Sequence, residues 1–371
     1  MENLTLNYTA IGSLPISGQE APKNACKIVF ENFDSIPFWA QLPNYSHNED
    51  MVFQFSENMP GFLVQDGKML FKTDTEEFCV QIEEFYFDWE SIINSENLSE
   101  CEEILDKYAL TEDRSSTFKL FLENLKDKNY KYAKGTITGA FTTSTTICGE
   151  DERCAYYDEI LRDIVVKSLA LKALWQIKEI KKVSPDTTPI IFMDEPSVSQ
   201  LGSSAFLTVN DDEILNMFNE IASLIKKFGG LAGIHCCGKS NWEIPINAKC
   251  DILNFDAYLY TQSMAIYHEK IAKFLDEGGF LAFGIVPTFD DKLIQELTEE
   301  DLLEKFEQSV ECFVKKGISK EKILKQCFIT PACGCGSLSL EGALAVIKHT
   351  KNLSKNLKEK YKEILWPQHL P

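Results

Sequence analysis

Hydrophobic and polar positions along this chain fall into two alternating rhythms. Short apolar runs, rich in β-branched and aromatic residues, recur at 8–13 (YTAIGS), 37–42 (PFWAQL), 131–139 (KYAKGTITG) and 189–196 (PIIFMDEP). They continue at 231–237 (LAGIHCC), 251–258 (DILNFDAY), 280–287 (FLAFGIVP) and 327–334 (CFITPACG). Each is followed by a polar or glycine-bearing loop, which reads as a buried strand. Most of them are separated by helix-length segments. Residues 160–180 and 211–228 have helical periodicity, and 264–278 and 299–317 both end in glycine, as helix C-termini often do.

Eight such runs with intervening helices predict the α/β class and a single (β/α)8 TIM barrel over residues 1–371. Residues 62–110 break the rhythm. Acidic and aromatic (EEFCVQIEEFYFDWESI), they predict an insertion after the second strand, a solvated cover rather than a separate domain. Residues 347–365 predict a polar terminal helix. In such a barrel, chemistry sits at the C-terminal ends of the strands. Gly12, Ser13, Gln41, Thr138, Asp194, Glu195, His235, Cys237, Asp256 and Cys333 collect at those ends, which points to one shared pocket.

Composition narrows the chemistry. With 371 residues, 44% of them hydrophobic, the chain can bury a large core. A net charge of −20 argues against nucleic-acid binding, because nothing offsets phosphate repulsion. Arg114, Arg153 and Arg162 are its three arginines, too few for a pocket gripping a multiply anionic substrate. No basic region followed by an apolar stretch opens the chain, and no apolar run reaches the roughly 18 residues of a membrane span. Twelve cysteines in a long chain without an export signal predict a cytoplasmic protein with reduced thiols, some of them ligands or nucleophiles.

The stretch GIHCCGKSNW (233–242) carries the sharpest signal. Side chains alternate across a strand, so His235 and Cys237 share one face and Cys236 points the other way. Asp256 on the next strand and Cys333 in TPACGCG on the last can reach the same point. A His/Cys/Cys set suits zinc. Ligands nearly a hundred residues apart suit a catalytic site with an exchangeable position better than a structural one. Cys335, two residues beyond Cys333, is a rival ligand. The plain alternative is that these cysteines only pack a barrel interior.

Several segments together resemble the catalytic domain of cobalamin-independent methionine synthase and its relatives, the zinc thiol methyltransferases of the uroporphyrinogen decarboxylase superfamily. They are IGSLP (11–15), EDMVFQFSENMPGF (49–62), KGTITGAFT (134–142, with Ala140 where the family has proline), MDEP (193–196), HCC (235–237) and PACG (331–334). The resemblance implies a zinc ion on His235, Cys237 and Cys333, with Asp256 standing where the family has a glutamate ligand. It implies that Ser13, with the backbone around Gly12, holds an amino-acid carboxylate and that Asp194 holds its ammonium; Glu195 beside it is expected to bind substrate, the alternative for the two acids being a helix N-cap and first-turn acid. Gln41 stands where a second carboxylate is expected. The implied reaction moves a methyl group from a methylated cofactor, folate-like or carried on a corrinoid protein, to a small thiol. Homocysteine, giving methionine, is the first choice and a coenzyme M-type thiol the alternative.

Two other readings remain at this point. The superfamily's decarboxylases use arginines near the N-terminus to grip carboxylates, whereas the first arginine here is Arg114. A non-catalytic protein that binds zinc or a corrinoid carrier is the other.

Overall fold

The structure, a computed structural model, describes residues 4–126, 128–206 and 208–366. The first three residues, part of the stretch read for an export signal, lie outside them. The strands are β1 (Phe62–Gln65), β2 (Lys68–Phe71), β3 (Tyr132–Thr138), β4 (Cys148–Gly149), β5 (Thr188–Asp194), β6 (Leu231–Cys236), β7 (Ile252–Phe255), β8 (Phe280–Val286) and β9 (Cys327–Pro331). Six of them form one curled, all-parallel sheet in the order β3-β5-β6-β7-β8-β9. They coincide with the last six predicted runs, and helices connect them as parallel neighbours require.

The first two runs do not become strands, and the sheet stays open rather than closing as an eight-stranded barrel. Residues 8–13 and 37–42 are extended segments that make only isolated bridges: Tyr8 with Ile329, Ser13 with Gln41, Phe38 with Lys134. Each changes neighbours within a few residues. Thr9 N–H donates to Ile329 O (3.1 Å), but Leu14 N–H already donates to Gln41 O (3.0 Å). Pro37, lacking an N–H, offers only its carbonyl, which Lys134 N–H meets at 2.8 Å.

The two faces of the sheet bury different things. Outward-facing residues such as Ile137, Ile191, Ile234 and Phe283 join the main core beneath the helices. Inside the curl, Tyr132, Ile190, Phe192, Ile252, Phe280 and Phe328 pack with Leu4 and Ile36 as a separate apolar cluster. Towards the C-terminal ends the same inner face turns polar, through Thr136, Asp194, His235, Asn254 and Thr330, all but the part-buried Asp194 fully buried. That gradient places the site.

The early helices are α1 (Ala21–Asn32), α2 (Met51–Phe55), α3 (Glu76–Asn94), α4 (Glu102–Lys107), α5 (Phe118–Leu125), α6 (Ala140–Thr146), α7 (Glu159–Val183) and α8 (Asp211–Lys227). The 62–110 segment is not the solvated cover its acidity suggests. It opens with a hairpin whose turn residues Asp66 and Gly67 have φ of 51° and 75°, the left-handed pair that a tight two-residue turn needs. It then buries Phe85, Trp89 and Ile92 of α3 and Leu105 of α4 in the main core. Tyr86 donates to Asp163 (2.5 Å), and Lys178 and Lys182 pair with Asp106 and Glu102. Covered on this side as well, α7 is buried along most of its length, its Lys172 and Gln176 included. No helix among the described residues is long and apolar enough to cross a membrane.

Candidate metal centre

At the end of β6 the chain presents His235 and Cys237 to the inside of the curl, while Cys236 points outward into the main core. The loop after β9 brings Cys333 to the same place. One ligand atom from each of His235, Cys237 and Cys333 lies within 4.8 Å of the other two. Cys335 is outside this group. Its side chain is buried in the main core, and its N–H donates to Ser13 O (2.9 Å). Ser13 Oγ also accepts from Gly336 N–H (3.1 Å), which clasps the loop that carries Cys333. A Cβ on Gly334 would stand 2.2 Å from that hydroxyl oxygen, so glycine permits the close approach.

One buried amide fixes the imidazole. Asn254, on the inner face of β7, donates from Nδ2 to Ala282 O (3.0 Å) and to Thr330 Oγ1 (2.8 Å). Its Oδ1 must therefore face His235 Nδ1, and this contact requires Nδ1 to be the protonated nitrogen. In the neutral ring, Nε2 then keeps its lone pair; it is buried without a hydrogen-bond partner. That is how an imidazole is prepared to bind a metal.

The sulfurs influence one another. The hydrogen bond from Cys333 pulls the Cys237 thiol well below its ordinary pKa, against burial and with help from His235. The same contact pushes Cys333 well above the thiol range. Burial opposes charge on His235, but the Cys237 sulfur and Asp194 outweigh it and raise the ring's pKa. The two sulfurs are thus driven in opposite directions, Cys237 towards the thiolate and Cys333 towards the thiol.

Asp194 sits beside this group. Its Oδ2 accepts from Thr136 Oγ1 (2.8 Å), and its Oδ1 is buried with no partner. Burial raises its pKa, with Lys134 and His235 opposing. Lys134, wholly buried on β3, donates to Ile11 O and lies 4.5 Å from the centre of the Phe192 ring. Burial holds its ammonium down to about 8, and Asp194 opposes that shift.

A cavity of about 480 Å³ opens over these groups, lined by Gly12, Ser13, Gln41, Asp194, His235, Cys237 and Cys333 together with Gln54 and Met51 of α2. Gly12 and Gln41 meet directly, since a Cβ on Gly12 would lie 2.0 Å from Gln41 Oε1. The neighbouring acids Glu49 and Asp50 are engaged by backbone: Glu49 accepts from Leu42 N–H (2.6 Å) and Ser116 N–H (2.9 Å), and Asp50 caps α2. Among the described residues that line the cavity there is no lysine or arginine.

Two predicted site residues are placed otherwise. Asp256 is outside the three-atom ligand group; its buried carboxylate accepts from Leu259 N–H (2.9 Å) and holds the loop after β7. Burial pushes that carboxyl up to about 6. Glu195 turns away from the cavity and receives the first turn of α6, accepting from Phe141 N–H (3.0 Å), Thr142 N–H (2.9 Å) and Thr142 Oγ1 (2.7 Å). Next to it, Gly139 has no room for a side chain, because a Cβ would lie 2.1 Å from the Glu195 carboxyl carbon. Glu195→Gln sets an NH₂ group among three donors and is expected to lower unfolding free energy by about 2–4 kcal/mol. Denaturant titration checks this.

Asn254, Lys134, Thr136 and Gln54 escape a reading of the sequence for ligands. Their signal was present all the same: a polar residue in the middle of an apolar strand, as in DILNF and YAKGTITG, has to find a buried partner. No protein-family model matches this chain, and no curated protein matches its sequence.

Proposed function

We propose that the protein is a zinc-dependent thiol methyltransferase on a distorted (β/α)8 barrel, whose eight elements are the two bridge-bearing segments and the six strands. The observation that carries the reading is the convergence of His235, Cys237 and Cys333 on the wall of the cavity. One imidazole and two thiolates suit zinc, and three protein ligands leave a position for an exchangeable group. Zinc held there supplies Lewis acidity that keeps an incoming thiol deprotonated at neutral pH.

The chain's own residues do the rest. Asn254 holds the His235 ring in the ligating tautomer. Asp194 Oδ1 and Gln54 Oε1 are buried acceptors without partners in residues that line the cavity; no lysine or arginine is among the lining residues, and Lys134 behind Asp194 has its ammonium disfavoured by burial. A site of that character favours a thiol bearing an ammonium group, as homocysteine does, over a sulfonate thiol of the coenzyme M type. Ser13 Oγ accepts from the loop and keeps its O–H as a donor for a carboxylate. The substrate sulfur attacks the methyl carbon of a folate-type or corrinoid-carried donor as the donor's bond to that carbon breaks. The cavity walls supply alignment and exclude water.

Zinc K-edge absorption on the zinc-loaded protein tests this. Homocysteine is expected to add one sulfur neighbour to the two from protein, and 2-mercaptoethanesulfonate at equal concentration to add none. Asp194→Asn is expected to weaken homocysteine binding about 10- to 100-fold while leaving 2-mercaptoethanol unaffected. Full methyl transfer by zinc-free protein, or an unchanged sulfur count with every thiol, refutes the reading.

A further inference from the structure

A second pair of sulfurs meets outside the cavity. Cys148 of β4 and Cys154 face each other across an isolated antiparallel bridge with their Sγ atoms 3.7 Å apart. Backbone bonds flank the pair on both sides, Gly149 N–H to Arg153 O (2.8 Å) and Ala155 N–H to Ile147 O (2.9 Å). Cys148 and Cys154 therefore occupy the non-hydrogen-bonded position of this ladder, where opposed Cα atoms come closest, about 4.5 Å apart. A disulfide spans Cα separations of about 4.4–6.8 Å, so side-chain rotation alone can close the bond.

The hairpin is anchored on both sides. β4 pairs with β2 through Leu70 and Phe71. Just after Cys154, Asp158 caps α7 by accepting from Ile160 and Leu161 N–H. Both thiols are part-exposed, within reach of a small solute. Cys237 and Cys333 also approach one another, but they belong to the metal centre.

We propose that Cys148 and Cys154 form a reversible dithiol–disulfide pair, a redox modification site that a low-molecular-weight disulfide closes across the hairpin. One protein thiolate attacks the small disulfide, forms a mixed disulfide and expels one small thiolate. The second protein sulfur, deprotonated, attacks the protein sulfur of that mixed bond and expels the other. One small disulfide is reduced to two thiols, which take up the two protons lost from the cysteines, and one protein S–S bond forms. Burial and the contact with Cys154 push the Cys148 thiol up, and either sulfur can open the exchange, the other resolving the intermediate. Because the resolving sulfur is already in place, the second step is intramolecular and outruns reaction with another molecule. This inference stands apart from the methyl-transfer reading.

The sequence supplies its own assay. Trypsin cuts after Arg153, between the two cysteines, and gives peptides 135–153 and 154–162 with one cysteine each. Zinc-loaded protein is incubated with excess glutathione disulfide or with dithiothreitol, alkylated, digested and weighed. Oxidised protein is expected to yield the two peptides joined, about 2 Da below the sum of their thiol forms, and dithiothreitol to separate them. Cys148→Ser is expected to leave glutathione attached to Cys154. Exposed Cys79 reports that the oxidant acted. Recovery of both peptides separate and alkylated, once Cys79 is fully modified, overturns the proposal. So does a bond from either cysteine to a different one.

Discussion

Cys333→Ser is expected to reduce bound zinc from about one ion per chain to almost none after dialysis, while Cys335→Ser retains it. The two residues stand two positions apart in a glycine-rich loop, and only Cys333 joins His235 and Cys237 within 4.8 Å. Structural zinc sites bind with about 10–16 kcal/mol spread over four ligands, so one thiolate contributes on the order of 3 kcal/mol. Its loss costs roughly two orders of magnitude in affinity. Serine offers a hydroxyl that stays protonated at neutral pH and is a poor substitute. Elemental analysis of matched dialysed samples decides the matter; equal zinc in both variants, or loss from Cys335→Ser alone, assigns the ligands wrongly. Binding must also displace the proton held between Cys237 and Cys333, so zinc uptake releases acid and weakens as pH falls.

Asn254→Leu carries the second large effect, and it strikes the same centre from behind. The substitution keeps the volume close but removes the acceptor of His235 Nδ1–H and the donors to Ala282 O and Thr330 Oγ1. Outer partners of metal-binding histidines are worth about 10- to 100-fold in metal affinity. Leaving a buried donor unpaired costs a further 1–3 kcal/mol or so of stability in the metal-free protein. Both losses are expected together, the first by competition with a chromophoric chelator and the second by thermal unfolding of metal-free samples. Asn254→Asp separates them. It restores an acceptor for the ring but removes the two donations, so affinity should recover further than stability does.

Strand positions from residue 131 onward were legible in the sequence because each is buried on both faces and bounded by a loop. The first two runs have the same apolar character, yet hydropathy does not report that a segment changes partners within a few residues. That is what Tyr8 to Ser13 and Phe38 to Gln41 do. The 62–110 segment misled through its charge, since most acids of α3 and α4 lie on the outside of an otherwise apolar layer and two of α4, Glu102 and Asp106, pair with lysines of α7. The His235–Cys237 pair followed from alternation alone. Cys333 over Cys335 was resolved by the Ser13 clasp on their loop, a contact between residues more than three hundred positions apart. Glu195 was misjudged because a carboxylate after a strand looks the same in sequence whether it serves a ligand or the end of a neighbouring helix.

The apolar cluster of Tyr132, Phe192, Phe280 and Phe328 stoppers the curl beneath the ligands. With aromatic rings packed below, charge gathered at His235, Cys237 and Asp194 is screened less than it would be at the surface, so each of these groups feels the ionisation of its neighbours at close to full strength.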